Sequence, residues 1–236
     1  MTANLRENGV DMTGQTIAIN GRDGAFTGYL ASPGSGRGPG LVVIQEMRDI
    51  ADGMASRGYY ALVPDLFWRL EPGIQLTDKT DAEWKKALDL MNRFDVDKGI
   101  QDIQAGIDHL RALPGCTGKV GALGYCLGGQ LAFLTAARTN SDASVGYYGI
   151  NIQNRLDEAD KIKKPLMLHI AEADEYVPPE AQAKIEAGLK PNPHVTLYRY
   201  PQMNHAFARV GGAHYDKANA DFANIRSATF FRQNLS

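Results

Sequence analysis

The sequence predicts an α/β protein in which a mostly parallel sheet carries helices on both faces and begins with an antiparallel hairpin. Unbroken apolar runs alternate along the chain with segments of helical periodicity, the order typical of a parallel sheet wrapped by helices. The runs lack polar alternation, which indicates strands covered on both faces. A pair of shorter strand patterns joined by a turn precedes them and predicts the hairpin.

The hairpin is predicted from two segments near the amino end. TIAIN (16–20) alternates in polarity, and FTGYLAS (26–32) follows the turn GRDG. The glycine and proline loop SPGSGRGPG (32–40) then separates the hairpin from the rest of the sheet.

The strands of the parallel sheet are predicted from the apolar runs that follow this loop. They lie at 40–45, 59–67, 119–125, 143–150, 165–171 and 195–201. Runs of this length bounded by turn residues suit buried strands.

The helices are predicted from apolar residues that recur every three or four positions. Segment 95–113 carries the longest such stripe, formed by Val96, Ile100, Ile103, Ile107 and Leu110. A shorter stripe just before it consists of Ala87, Leu88, Met91 and Phe94. Segments 131–137 and 218–235 supply two more helices.

Length and composition limit the class of protein. A chain of 236 residues with 44% hydrophobic and 22% charged residues is typical of a globular protein, and we expect one domain over residues 1–236. A formal charge of -2 gives no general field for nucleic acid or an anionic membrane.

The amino end and the two cysteines indicate the compartment. The first residues have no apolar core typical of a secretory signal, and no run approaches the roughly 18 apolar residues of a membrane span. We therefore expect a cytoplasmic protein whose cysteines are free thiols. Cys116, in the polar turn PGCTGK, is expected to be structural.

The stretch GYCLGG (124–129) fits the nucleophile elbow, Gly-x-nucleophile-x-Gly, between a strand and a helix. Its glycines permit the close approach that leaves Cys126 strained and exposed. The amides of the following helix favour a thiolate, and the amide of Leu127 is placed to bind an oxyanion. The alternative is that Cys126 is a small buried core residue.

A base and an orienting acid are predicted at the same sheet edge. Asp174 follows the run 165–171 and His205 follows the run 195–201, which gives the order nucleophile, acid, histidine. Glu172 and Glu175 are the alternative acids.

The other histidines are placed where a base is not expected. His169 is expected to be a hydrogen-bonded core residue, His109 to lie on a helix, His194 to begin a strand, and His214 to lie in a glycine loop.

Several motifs together make the chain similar to the dienelactone hydrolase family from about Thr16 to Leu235. They are GYCLGG (124–129), VGYYG (145–149), ADEYVP (173–178), HAFAR (205–209), GYYALVPDLF (58–67) and the helical segment 94–111. The resemblance implies an α/β-hydrolase fold and a cysteine hydrolase that opens an unsaturated lactone to maleylacetate without a cofactor. It also implies a role in the bacterial breakdown of chlorinated aromatic compounds.

The resemblance implies a triad of Cys126, Asp174 and His205. It further places Glu46 beside the thiol, whose proton the carboxylate takes when substrate arrives, and otherwise pairs Glu46 with Arg209. Arg209 and Tyr148 are expected to contact the substrate, and a forked guanidinium suits a substrate carboxylate. The alternative for Arg209 is a surface arginine.

The chain departs from the family pattern in two places. Several residues that normally follow the glutamate are missing, so the second oxyanion amide comes from Met47 or the oxyanion hole is incomplete. Trp84 stands where active relatives have a second arginine, which predicts a substrate that is less acidic, more aromatic or a different ester.

These observations predict a monomeric enzyme without cofactor or metal that acts on a small lactone or ester, with a carboxylate as its expected anionic group. Two other hypotheses remain open at this level. One is a carboxylesterase of the same family with a different substrate, and the other is a ligand-binding homologue that turns nothing over.

Overall fold

The computed structural model describes residues 14–45, 48–76 and 80–236, apart from the side chains of Asp81 and Trp84. Over these residues the fold is an eight-stranded sheet with helices on both faces. The strands are β1 (Gln15–Gly21), β2 (Gly24–Ala31), β3 (Gly38–Ile44), β4 (Tyr60–Pro64), β5 (Cys116–Tyr125), β6 (Ala143–Tyr147), β7 (Leu166–Ala171) and β8 (Val195–Tyr200). The predicted fold class is confirmed.

The strand order is β1-β2-β4-β3-β5-β6-β7-β8. β1 and β2 form the predicted antiparallel hairpin, with Ile17 opposite Gly28, and β2 pairs antiparallel with β4. All pairs from β4 to β8 are parallel, so these strands point their carboxyl ends toward one edge. β5 lies in the interior of the sheet and delivers its last residue to the middle of that edge.

The helices are α1 (Arg48–Ala55), α2 (Asp81–Arg93), α3 (Val96–Ala112), α4 (Leu127–Arg138), α5 (Pro179–Leu189) and α6 (Lys217–Leu235), with short 3₁₀ turns at Ile152–Asn154 and Leu156–Lys161. The Asp95 side chain caps α3 by accepting a hydrogen bond from the Lys98 amide at 3.1 Å. In the same way Asp216 caps α6 through the Asn219 amide at 2.9 Å.

Two apolar cores lie on opposite faces of the sheet. The apolar stripe of α3 packs with α4 and α5 in one core, where Ile103 and Ile107 are fully buried. α1 and α6 cover the other face, where Ala51 and Phe231 are buried. Burial of both faces explains why the parallel strands read as continuous apolar runs.

The structure corrects the sequence-based boundaries at several places. β4 ends at Pro64 and β6 at Tyr147, earlier than the runs 59–67 and 143–150. β5 begins at Cys116, so this residue opens a strand instead of lying in a turn. α4 begins at Leu127, directly after the elbow, earlier than the predicted segment 131–137. α5 was not predicted, because its small residues give only a weak apolar stripe.

Among the residues that the structure describes, no helix combines the length and the hydropathy needed to cross a membrane.

Candidate active site

Cys126 stands at a sharp turn between the end of β5 and the start of α4. Its backbone has φ 57° and ψ -119°, a left-handed conformation that non-glycine residues rarely adopt. The turn is held by its amide, which donates to the Tyr147 carbonyl at 3.1 Å, and by its carbonyl, which accepts from the Gly129 amide at 2.9 Å. The side chain is partly exposed, so the alternative of a sealed core cysteine is excluded.

The glycines of the elbow are required by close backbone contacts. A Cβ atom on Gly124 would lie 1.9 Å from the Gly128 carbonyl oxygen, across the contact between strand and helix. A Cβ on Gly128 would lie 2.6 Å from the Ile44 oxygen, and one on Gly129 would lie 2.6 Å from the Tyr147 oxygen. Only glycine therefore lets α4 start this close to the sheet.

Asp174 and His205 meet at the carboxyl edge of the sheet. The Nδ1 atom of His205 lies 2.8 Å from Oδ2 of Asp174, and both side chains are buried. The other carboxylate oxygen of Asp174 accepts from the Tyr176 amide at 2.8 Å. The Asn204 side chain accepts from the His205 amide at 2.7 Å. The pair is therefore held from both sides.

The alternative acids do not take this place. Glu172 forms an ion pair with Arg199, with Nε and Oε1 separated by 2.6 Å. Glu175 is exposed, and its amide donates to the Asn204 side chain at 3.3 Å. Asp174 is thus the carboxylate that bonds His205.

The imidazole of His205 connects Asp174 to Cys126. Burial lowers the pKa of His205, but its hydrogen bonds to Asp174 and to Cys126 and the charges of both partners outweigh burial and raise the pKa to about 9. Because Nδ1 faces Asp174, Nε2 is the ring nitrogen left for the sulfur. The arrangement can move a proton between the thiol and a bound molecule.

The raised pKa of His205 predicts a pH-dependent contribution to stability. A shift from 6.5 to about 9 corresponds to about 3 kcal/mol, fully present below pH 6.5 and lost as the pH rises through 9. Urea unfolding of the wild type and of His205→Gln should therefore differ more at pH 6 than at pH 10. In an Asp174→Asn background the same comparison should show a smaller pH dependence. An equal difference in unfolding free energy at pH 6 and pH 10 between the wild type and His205→Gln would contradict the raised pKa of His205.

A cavity of about 400 Å³ opens above Cys126 and His205. Its apolar wall is formed by Phe67, Ile74, Leu76, Leu88, Met91 and Ile150. Arg209 and Tyr148 also line it. The Tyr148 ring is buried, lies 5.0 Å from the His205 ring between centroids, and has its pKa raised well above the ordinary value by burial.

The predicted site residues fall into two groups. The structure brings Cys126, Asp174, His205, Tyr148 and Arg209 together, and Leu127 begins α4 beside the sulfur. The predictions for Glu46, Met47 and the Trp84 side chain lie outside the described residues.

Besides the apolar wall, two residues beside His205 were missed from the sequence. The Tyr176 ring stands edge-on to His205 at 4.8 Å, and its place two residues after Asp174 was the available signal. His214, placed only in a loop, also lines the cavity, and its Nδ1 lies 3.2 Å from the His205 carbonyl oxygen.

His169 is the hydrogen-bonded core residue that the sequence predicted. It is fully buried in β7, and burial, followed by the charge of Arg226, lowers its pKa to about 3, so the ring is neutral. Its backbone carbonyl accepts from the Tyr148 amide at 2.7 Å. A core residue therefore supports a residue of the cavity wall.

The His169 ring belongs to a hydrogen-bond chain, here called the polar chain, whose middle members are buried and whose two end groups have fixed donor and acceptor roles. In order, the chain runs from Arg226 through Tyr200, His169, Ser227 and Tyr147 to the side-chain oxygen of Asn224, with separations of 3.0, 2.8, 2.9, 2.7 and 3.0 Å. The guanidinium can only donate and the amide oxygen can only accept, so every hydroxyl and ring nitrogen between them has one possible role. The neutral His169 must carry its proton on Nε2.

Comparison with known proteins places these features in one family. The model of the "Dienelactone hydrolase family" matches residues 26–235. A protein of Azospirillum brasilense, provisionally named carboxymethylenebutenolidase, is 49% identical over 226 residues, covering 91% of this chain and 96% of that protein. Carboxymethylenebutenolidase 1 of Cupriavidus pinatubonensis is 35% identical, covering 92% and 95%.

A solved structure agrees at the level of the fold. A Klebsiella pneumoniae protein, provisionally described as a dienelactone hydrolase, has a TM-score of 0.81 at 22% identity, covering 93% of this chain and 98% of that one.

Proposed function

The chain belongs to the dienelactone hydrolase family, and on that premise we propose that it opens dienelactone to maleylacetate with a Cys126, His205 and Asp174 triad. Its carboxymethylenebutenolidase relatives make it a hydrolase of carboxylic esters or lactones. The observation that carries the proposal is the 2.8 Å separation between Nδ1 of His205 and Oδ2 of Asp174, with His205 and Cys126 lining the same cavity.

In the first step the sulfur of Cys126 attacks the carbonyl carbon, and His205 holds the proton that leaves the thiol. The carbonyl oxygen takes the negative charge, and the amide of Leu127 at the start of α4 donates to it. When the oxyanion collapses, the bond from carbon to the ring oxygen breaks. His205 then gives its proton to that oxygen, which yields a thioester on Cys126.

In the second step His205 removes a proton from water, and the hydroxide attacks the thioester carbon. Collapse of the second oxyanion breaks the carbon–sulfur bond and releases a carboxylic acid, and His205 returns its proton to the sulfur to restore the thiol. Asp174 keeps the imidazole oriented and stabilises its charged form throughout. An enolate departs more easily than an alkoxide, so an enol lactone suits a sulfur nucleophile.

Recognition of a carboxylated substrate is assigned to the side of the cavity next to His205. Arg209 follows His205 closely in the chain and lines the cavity, where its charge is felt by Tyr148. A planar guanidinium can hold a carboxylate through paired hydrogen bonds. From the family resemblance we propose Glu46 as the alternative acceptor of the thiol proton, Met47 as oxyanion donor and Trp84 as substrate contact.

The wider setting is also part of the proposal. We place residues 1–236 in one domain, acting as a monomer in the cytoplasm during the degradation of aromatic compounds. The continuous sheet and its shared cores support the single domain.

The test measures both the product, maleylacetate, and the acyl-enzyme intermediate. Purified protein is mixed with the dienelactone isomers, maleylacetate is followed by chromatography, and acid-quenched samples are digested for mass spectrometry. We expect maleylacetate to form and the acyl mass to be found on the peptide that contains Cys126. Turnover without any acyl adduct on that peptide, or an adduct on Cys116, would contradict the mechanism.

A further inference from the structure

The cavity is divided into two sides that contact different halves of a substrate. We propose that its apolar wall makes the enzyme selective for the acyl group, so that it prefers esters and lactones of medium-length apolar acids. This inference rests on the proposed acyl transfer to Cys126, and it adds the substrate class that the same site favours.

The sheet order decides which half of the substrate lies on which side. Asp174 and His205 follow β7 and β8, whereas Phe67 follows β4, on the other side of β5. Cys126 therefore stands between the imidazole and the Phe67 side of the sheet edge.

The chemistry then orients the substrate on the sulfur. The leaving oxygen must face His205 to be protonated, and the carbonyl oxygen must face the amide of Leu127. The remaining substituent of the carbonyl carbon, the acyl chain, points away from His205. Phe67 lines the cavity and follows β4, on the side of β5 opposite to β8 and His205, so its ring lies on the acyl side.

The acyl side is apolar, and its lining residues pack against buried or aromatic neighbours. Leu88 and Met91 lie one turn apart on α2 and line the cavity with Phe67. Leu90, another lining residue, is fully buried. The Phe67 ring is held edge-on by Phe94 at 5.4 Å between centroids. An acyl chain placed here would exchange water for a preformed hydrocarbon surface.

The charged groups lie on the other side. Of the described residues that line the cavity, Arg209 is the single lysine or arginine, and it follows His205 in the chain. Glu175 lies near the same histidine, after Asp174. Arg209 can bind an anionic group on the leaving-group side despite the nearby Glu175 carboxylate, whereas a charged acyl chain would meet no described lysine or arginine side chain.

The volume also accommodates substrates larger than dienelactone. A cavity of about 400 Å³ falls in the range of about 300 to 1,000 Å³ that encloses drug-sized ligands. Each methylene added to the acyl chain is expected to raise kcat/KM roughly threefold until the wall is covered.

The test uses a series in which only the acyl half changes. Hydrolysis of p-nitrophenyl acetate, butyrate and hexanoate keeps one leaving group, and kcat/KM should rise roughly 50-fold or more from acetate to hexanoate. Acetate esters of apolar alcohols of increasing length should differ less than about threefold, because they extend toward His205.

Variants of α2 connect the preference to the wall. Met91→Gln keeps a similar side-chain length but adds an amide, and we expect kcat/KM for the hexanoate to fall roughly tenfold while the acetate stays within twofold. Lys85→Gln, on the exposed side of the same helix, is the matched control and should leave both values unchanged. A flat acyl series, or an equal loss for acetate and hexanoate in Met91→Gln, would overturn the inference.

A binding measurement separates this inference from the proposed function. Hexanamide and acetamide are not lactones, and titration calorimetry measures their affinity without turnover. Tighter binding of hexanamide that is lost in Met91→Gln supports the apolar acyl wall even if no ester is hydrolysed. Equal affinity for both amides overturns the apolar acyl wall. Absence of ester or lactone hydrolysis through Cys126 contradicts the proposed function and leaves the binding result unaffected.

Discussion

Replacing Cys126 with alanine is expected to lower kcat by roughly 10⁴-fold or more on any lactone or ester that the wild type hydrolyses. The substitution removes the sulfur that we propose forms the acyl-enzyme, while the proposed oxyanion donor, Leu127, and the cavity remain. Initial rates on dienelactone and on p-nitrophenyl acetate measure the effect, and circular dichroism checks that the fold is kept.

Cys116→Ala is the matched control for this experiment. Cys116 is the other free thiol and opens β5, remote from the carboxyl end of that strand where Cys126 follows. Its variant should hydrolyse both substrates at the wild-type rate. If Cys126→Ala also retained that rate, the triad would be wrong.

Gly124→Ala is expected to destabilise the protein by about 3 kcal/mol or more and to remove activity together with the fold of the elbow. The added methyl group would lie 1.9 Å from the Gly128 carbonyl oxygen, so β5 and α4 would have to separate. Urea unfolding followed by circular dichroism measures the loss, and activity is measured in the same samples.

Gly53→Ala controls for the general effect of replacing a glycine. Gly53 lies in α1, and nothing lies within 4 Å of the position its Cβ would take. Its variant should be more stable than the wild type by about 0.5 to 1 kcal/mol, because alanine loses less backbone entropy in a helix. Wild-type stability and activity in Gly124→Ala would show that the elbow does not need its glycine.

Much of the sheet could be predicted from sequence because its strands are buried on both faces. Runs such as 165–171 contain few polar residues, and their burial in β7 follows from the same property. The helix α5 was missed because Ala181, Ala183 and Ala187 are small on every side of it, so no stripe stands out. Strand order, including the passage from β2 to β4 before β3, depends on contacts distant in sequence and has no local signal.

The pairing of Asp174 with His205 could be predicted because both residues directly follow parallel strands, whose ends meet at one edge. The apolar wall of the cavity could not be predicted from the sequence. Leu88 and Met91 belong to a stripe of α2 that is indistinguishable in sequence from one that faces solid core. The structure shows that part of this stripe faces an open volume, which is a property of the spacing between elements.

The polar chain from Arg226 to Asn224 also bears on how this protein can diverge. In each hydrogen bond of the chain, one partner must be the donor and the other the acceptor. A substitution at His169 or Ser227 that exchanges donor and acceptor therefore leaves two hydrogens or two lone pairs facing each other in the core. A reversal becomes tolerable when a neighbouring member changes in the same lineage. We therefore expect the buried members to tolerate substitution together and to resist it singly, whereas exposed positions nearby can change one at a time.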